Sequence, residues 1–202
     1  MSAPGGLELE GSSDPFQVDA ARPLALVGLR AVGKTSVGRR LAERLGRPFL
    51  DLDEATLQVA RLSGEPCSSV AELFSAGEAR FREHEAHALR RILEPGVRCV
   101  LATGGGVVER PDNRAWLGRA AQVVWLRAPL ELLAERIERD GGRPALLGED
   151  AAAELPVIAA RRAPLYASVA QRRLDLDPAW SVDEVVAVLL GESAAADRGP
   201  SS

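Results

Sequence analysis

Apolar and polar positions along this chain switch between two periods, and the switching predicts short strands separated by helices. Brief apolar runs at 24–27, 48–52, 97–102, 122–126 and 173–176 read as strands. Between them, apolar residues recur at helical spacing over 34–45, 70–75, 78–93, 130–139, 151–169 and 182–190. Strands that alternate with helices imply an α/β fold with a parallel sheet and right-handed crossovers. Residues 1–21 are rich in Gly, Ser, Pro and acidic residues and show no periodicity. They read as a disordered leader, 191–202 as a disordered tail, and 22–190 as one domain.

Composition narrows the function classes. A chain of 202 residues, 46% hydrophobic and 27% charged, is an ordinary globular protein with enough material for a real core. A net charge of −4 argues against nucleic acid or an anionic membrane surface as partner. No apolar run is long enough to span a bilayer, and the N-terminus lacks a basic-then-apolar signal. Cys67 and Cys99 are too few and too unpatterned for a disulfide framework or a zinc site, which suits a reducing cytoplasm. The protein is expected to be a cytoplasmic monomer.

The strongest chemical signal is Gly28-Leu29-Arg30-Ala31-Val32-Gly33-Lys34-Thr35, which fits G-x-x-x-x-G-K-[ST]. It follows an apolar strand and opens a helix, the context a phosphate-binding loop requires. Amides at the helix N-terminus face a phosphate, and the helix dipole favours its charge. Lys34 is expected to be solvated in the free protein and to reach the outer phosphates, with the Thr35 hydroxyl on Mg²⁺. Lys34 is also the only lysine in a chain with 25 lysine and arginine residues. A compact ammonium stands at the one position where a planar guanidinium could not replace it.

Four further clusters carry possible chemistry. Asp51-Leu52-Asp53 ends the second strand, and alternation predicts both carboxylates on one face at the carboxyl edge of the sheet. One could hold Mg²⁺ through water and the other orient an attacking hydroxyl; alternatively Asp53 caps the next helix. Arg82 and Glu85 share a helix face, as a surface ion pair or as an anion site steadied by the glutamate. His84 and His87 lack a third ligand and read as solvated. Thr103-Gly104-Gly105-Gly106 follows the third strand and exposes backbone to a ligand, or is a flexible turn. Arg136, Arg139 and Arg143 fall in the stretch 136–144, whose Gly-Gly and Pro mark a segment that reads as a lid over about 138–150 or as a solvated loop. In Arg161-Arg162-Ala163-Pro164-Leu165-Tyr166, one arginine could point inward, or both could be exposed.

Taken in order, these residues resemble the shikimate kinase family. The resemblance runs from about Leu24 to Pro178. Its specific part is the ordered set Asp51-x-Asp53, Phe81-Arg82-x-x-Glu85, Gly104-Gly105-Gly106, Arg143-Pro144 and Arg162-x-Pro164-Leu165-Tyr166. It implies a P-loop kinase fold: three layers, with a five-stranded parallel sheet flanked by helices, a lid and a substrate-binding region. It implies transfer of the terminal phosphoryl group of ATP to the 3-hydroxyl of shikimate. Nucleotide is then expected along Gly28, Arg30, Ala31, Val32, Gly33, Lys34, Thr35 and Ser36, with Arg136 against adenine and Arg143 on the transferred phosphate. Mg²⁺ is expected at Thr35 and Asp51. Asp53 is the implied base and, with Lys34 and Arg143, a catalytic residue. Arg82 and Arg162 are implied to grip the shikimate carboxylate, and Gly104, Gly105 and Gly106 to touch the ring.

This chain departs from the family pattern at Ala31, where glycine is usual, and an alanine is expected to be strained there if φ is positive. Ala145 adds a residue to the lid motif, and 63–69 is slightly long. The alternatives are a kinase for another small hydroxy acid such as gluconate, and a non-catalytic ligand-sensing domain on the same fold.

Overall fold

In the computed structural model, which describes residues 16–140 and 154–192, the sheet is organised around β1 (Leu24–Val27), whose side chains are all buried. It lies between β3 (Val100–Ala102) and β4 (Gln122–Arg127). β2 (Phe49–Asp51) and β5 (Arg172–Asp175) form the edges, giving the order β2-β3-β1-β4-β5. All pairings are parallel, with Leu24 opposite both Val100 and Gln122. Side-chain alternation divides β1 between two cores. Leu24 and Leu26 pack with α1 (Lys34–Leu45), α6 (Leu130–Asp140) and α8 (Val182–Leu189). Ala25 and Val27 pack with α2 (Leu52–Leu62), α4 (Glu78–Leu93), α5 (Pro111–Ala120) and α7 (Leu155–Ala167). Burial on both faces explains the unbroken apolar runs of the central strands. A smaller cluster of Ala60, Leu73 and Phe81 ties α2 and α4 to the short α3 (Val70–Ser75).

Several expectations change. The second strand stops at Asp51, and α2 begins at Leu52, so Asp51 and Asp53 do not share a strand face. Asp51 is itself the helix cap: its Oδ1 accepts from the Asp53 amide at 2.9 Å. The cap wins because Leu52, Thr56, Val59 and Ala60 supply a buried helical stripe immediately after it. Helix α5 was absent from the periodicity because it buries only Asn113 and Leu117, and Pro111 starts it. Pro164 lies inside α7.

At the start of the described chain, residues 16–21, assigned by composition to the leader, pack on the domain. Phe16 and Val18 contact the first core, and the Gln122 side chain bonds both the Asp19 amide and the Gln17 carbonyl. Beyond α8, Glu192 pairs with Arg44. Among the described residues, no helix is long and apolar enough to cross a membrane.

Candidate active site

The carboxyl ends of β1, β2 and β3 open on one cleft of about 1280 Å³, larger than a single small ligand usually needs. Beneath it lies the loop between β1 and α1. Gly28 has φ 146°, and a Cβ there would stand 2.3 Å from the Leu126 carbonyl oxygen, so only glycine fits. Val32 is buried under the loop. Gly33, in the left-handed region at φ 99°, leads into α1 without a side-chain cap, leaving the first amides of the helix for an anion. Ser36 is exposed in that first turn.

Lys34 departs from expectation. It is 9% exposed rather than solvated, and its Nζ donates to the Gly28 carbonyl at 3.0 Å and the Leu29 carbonyl at 2.7 Å. The ammonium closes the loop on itself.

Ala31 has φ 64°. A left-handed alanine costs about 1–2 kcal/mol, and glycine would give back roughly 0.4–1 kcal/mol of that through the unfolded chain. Ala31→Gly is therefore expected to raise stability by about 0.5–1 kcal/mol, visible as a shifted urea midpoint at constant slope. The Ala31 carbonyl accepts from Arg136 Nη1 at 3.2 Å, placing Arg136 of α6 beside the loop. Arg30 lines the cleft as well. Arg143 and most of the expected lid lie outside the described residues.

Across from the loop, Asp51 serves two neighbours. Its Oδ2 accepts from Thr35 Oγ1 at 3.1 Å while Oδ1 caps α2. A hydroxyl and a carboxylate oxygen are thus adjacent at the loop end of the cleft. Among the described residues, no group of three or more His, Cys, Asp and Glu could hold a metal ion. His87 is exposed, whereas His84 is half-buried with Nε2 3.5 Å from Glu65, not solvated as its sequence context suggested.

The other half of the cleft is floored by the triple glycine, and each glycine faces a different functional group. A Cβ on Gly104 would stand 2.9 Å from Asp53 Oδ1 and 3.0 Å from Glu85 Oε1. On Gly105 it would stand 3.5 Å from Arg162 Nη1 and 3.3 Å from the Arg30 amide. On Gly106 it would overlap the Arg82 guanidinium. None of the three has positive φ. At Gly104 and Gly106 the residue is glycine for space, not for turning. Tyr166 pins the glycine strip, donating from Oη to the Gly105 carbonyl at 2.5 Å.

Both arginines expected to grip an anion are buried. Arg82 is 8% exposed, bonds both oxygens of Glu85 from Nη1 and reaches Glu78 from Nη2. Its Nε is buried with no hydrogen-bond partner. The Arg82–Glu85 pair is therefore interior, not a surface ion pair. Arg162, 3% exposed, is the inward member of its pair, while the Arg161 side chain is half-exposed. Glu109, which nothing in the local sequence singled out, holds Arg162: its Oε1 accepts from Arg162 Nε at 2.6 Å.

Glu85 is fully buried, and burial pushes its carboxyl up to about 7 against the pull of Arg82, with Asp53 adding to the push. The folded protein therefore holds this proton more tightly than the unfolded chain does. The stability that Glu85 contributes is complete below its ordinary 4.5 and is lost as pH rises through about 7. Glu85→Gln cannot titrate. Relative to it, the wild type is expected to lose denaturant resistance between pH 5 and pH 8, and parallel curves for the two would refute the assignment.

Comparison with known proteins gives the family. The shikimate kinase family model matches residues 30–190. The chain is 42% identical over 167 residues to a shikimate kinase of Stenotrophomonas maltophilia (strain R551-3), covering 82% of this chain and 89% of the relative. It is 42% identical over 170 residues to one of Symbiobacterium thermophilum, covering 83% and 93%. A solved shikimate kinase from Acinetobacter baumannii, in complex with shikimate, has a TM-score of 0.71 at 34% identity, covering 84% of this chain and 93% of that one. The five-stranded parallel sheet flanked by helices is the P-loop kinase fold of these structures. With a match over most of its length, the chain belongs to the shikimate kinase family.

Proposed function

We propose that the protein transfers the terminal phosphoryl group of ATP to the 3-hydroxyl of shikimate. The observation that carries this reading is the glycine strip: Asp53, Arg162 and Arg82 each meet one of three consecutive glycines, beside the phosphate loop. Shikimate offers one carboxylate and three ring hydroxyls. Two buried guanidinium groups suit the first, and the Asp53 carboxylate suits a hydroxyl whose proton must leave as the new O–P bond forms. Gly105 brings the acceptor floor against the backbone of Arg30, so donor and acceptor lie side by side. Phosphoryl transfer needs mostly such positioning and charge neutralisation.

The nucleotide half is read from the same loop: the first amides of α1 and Lys34 receive the phosphates, with Arg136 near the loop for the base. Arg143, outside the described residues, is assigned to the transferred group by the family resemblance alone. Thr35 and Asp51 suit Mg²⁺, which takes one or two protein oxygens and completes its shell with phosphate and water, supplying charge neutralisation when bound. The free Cys67 and Cys99 suit a reducing cytoplasm.

The test is a coupled assay with ATP and Mg²⁺ against shikimate, quinate and gluconate. ADP is expected to appear in step with shikimate consumed and not with the linear acid. Preferential turnover of gluconate would reassign the substrate. Shikimate binding without ATP consumption would make the domain a sensor.

A further inference from the structure

The two clamp arginines are each backed by a carboxylate. Glu85 backs Arg82 from one helical turn away, and Glu109 backs Arg162 from 53 residues away. Glu109 ends the 3-10 turn Val107–Glu109, which directly follows the glycine strip. Its Oε1 accepts from Arg162 Nε at 2.6 Å and lies 2.5 Å from Arg162 Nη2. Arg161 Nη2 donates to the same oxygen at 2.8 Å.

A guanidinium is planar and has two forked edges. Glu109 occupies the Nε side of Arg162. That leaves Nη1 over Gly105, 3.5 Å from where a Cβ would be, on a guanidinium that lines the cleft and that the Tyr166 hydroxyl also contacts. The remaining Nη1–Nη2 edge is the one that can receive a carboxylate end-on. Burial pushes the Glu109 carboxyl up, but Arg162 and Arg161 bring it below its ordinary value, so it is ionised at neutral pH. We infer that Glu109 is a positioning residue for substrate recognition: it fixes which edge of Arg162 meets the acceptor's carboxylate, and Arg161 steadies it from the solvent side. This rests on the reading of the acceptor as a cyclic hydroxy acid held by Arg82 and Arg162.

The experiment is steady-state kinetics of the wild type, Glu109→Leu, Glu109→Gln and Arg162→Ala, each with shikimate and with its methyl ester, which keeps the ring hydroxyls and lacks the charged carboxylate. Glu109→Leu is expected to raise the KM for shikimate about tenfold, the size of a lost charge-assisted contact. Its kcat and its KM for ATP should stay within about threefold. The ester KM should not move. Glu109→Gln retains an acceptor oxygen and should recover part of the loss.

A general loosening of the fold would penalise acid and ester alike, and that result would overturn the inference. So would a lower KM for shikimate in Glu109→Leu, which would mean that Glu109 competes with substrate for Arg162. If Glu109→Leu does not fold, Glu109→Gln decides. A smaller rise confined to the acid supports the inference, and no rise overturns it. If Arg162→Ala leaves the shikimate KM unchanged, or if the wild type does not phosphorylate shikimate, the reading of the site fails instead.

Discussion

Arg82→Ala is expected to raise the KM for shikimate by about 100-fold or more while moving the KM for ATP by less than about threefold. The guanidinium is 8% exposed, lies under Gly106 and is bonded to both oxygens of Glu85. On the proposed reading, its loss removes one jaw of the carboxylate clamp and leaves the nucleotide loop untouched. It also strands Glu85, which is fully buried. Removing one partner of a buried pair costs about 3–5 kcal/mol if the other stays charged. Glu85 has a way out, because its carboxyl already sits at about 7 with Arg82 in place. Without Arg82 it goes further up and takes a proton, so the variant's thermal deficit should be larger at pH 8 than at pH 6. Initial rates with both substrates varied, and melts at the two pH values, check this. Equal rises in both KM values would show that Arg82 does not hold the acceptor.

The second large effect is at Lys34. Lys34→Ala is expected to lower turnover by about a thousandfold or more, because on the proposed reading the ammonium is the positive charge for the outer phosphates. From the motif alone, the fold should tolerate the change. The structure says otherwise. The Gly28 and Leu29 carbonyls both accept from Nζ, and neither gains a donor from alanine. Leaving such acceptors without a partner costs about 1–3 kcal/mol, or several degrees in melting temperature for a chain of this size. Differential scanning calorimetry of the variant measures it. An unchanged melting temperature would mean that the loop does not depend on these bonds.

These two residues also show what a linear reading can recover. The phosphate loop was legible because its requirements are local: a strand, two glycines in special conformations, a lysine and a helix start within a dozen positions. The central strand was legible because burial on both faces leaves an unbroken apolar run. The Asp51 and Asp53 geometry was misread because two local rules competed. Strand alternation and helix capping both fit Asp-Leu-Asp, and the stripe of Leu52, Thr56, Val59 and Ala60 decides between them. Helix α5 escaped because its buried face is two residues wide.

The site's pairings show the same limit. Arg82 and Glu85 are one turn apart, so their contact could be anticipated, but their depth could not. Glu109 and Arg162 meet only because the turn after the glycine strip and the middle of α7 converge over one cleft. No spacing rule reaches across that distance. The glycines were visible as a cluster. That each one faces a different side chain is visible only in three dimensions.

A lone ε-ammonium held by two backbone oxygens has a practical consequence. In this chain, lysine labelled with nitrogen-15 at Nζ would contribute one signal to a magnetic-resonance spectrum, needing no assignment. Its shelter and its two acceptors should slow proton exchange with water enough for that signal to persist. Titrating nucleotide would then report directly on the moment when those oxygens give up the ammonium to a phosphate.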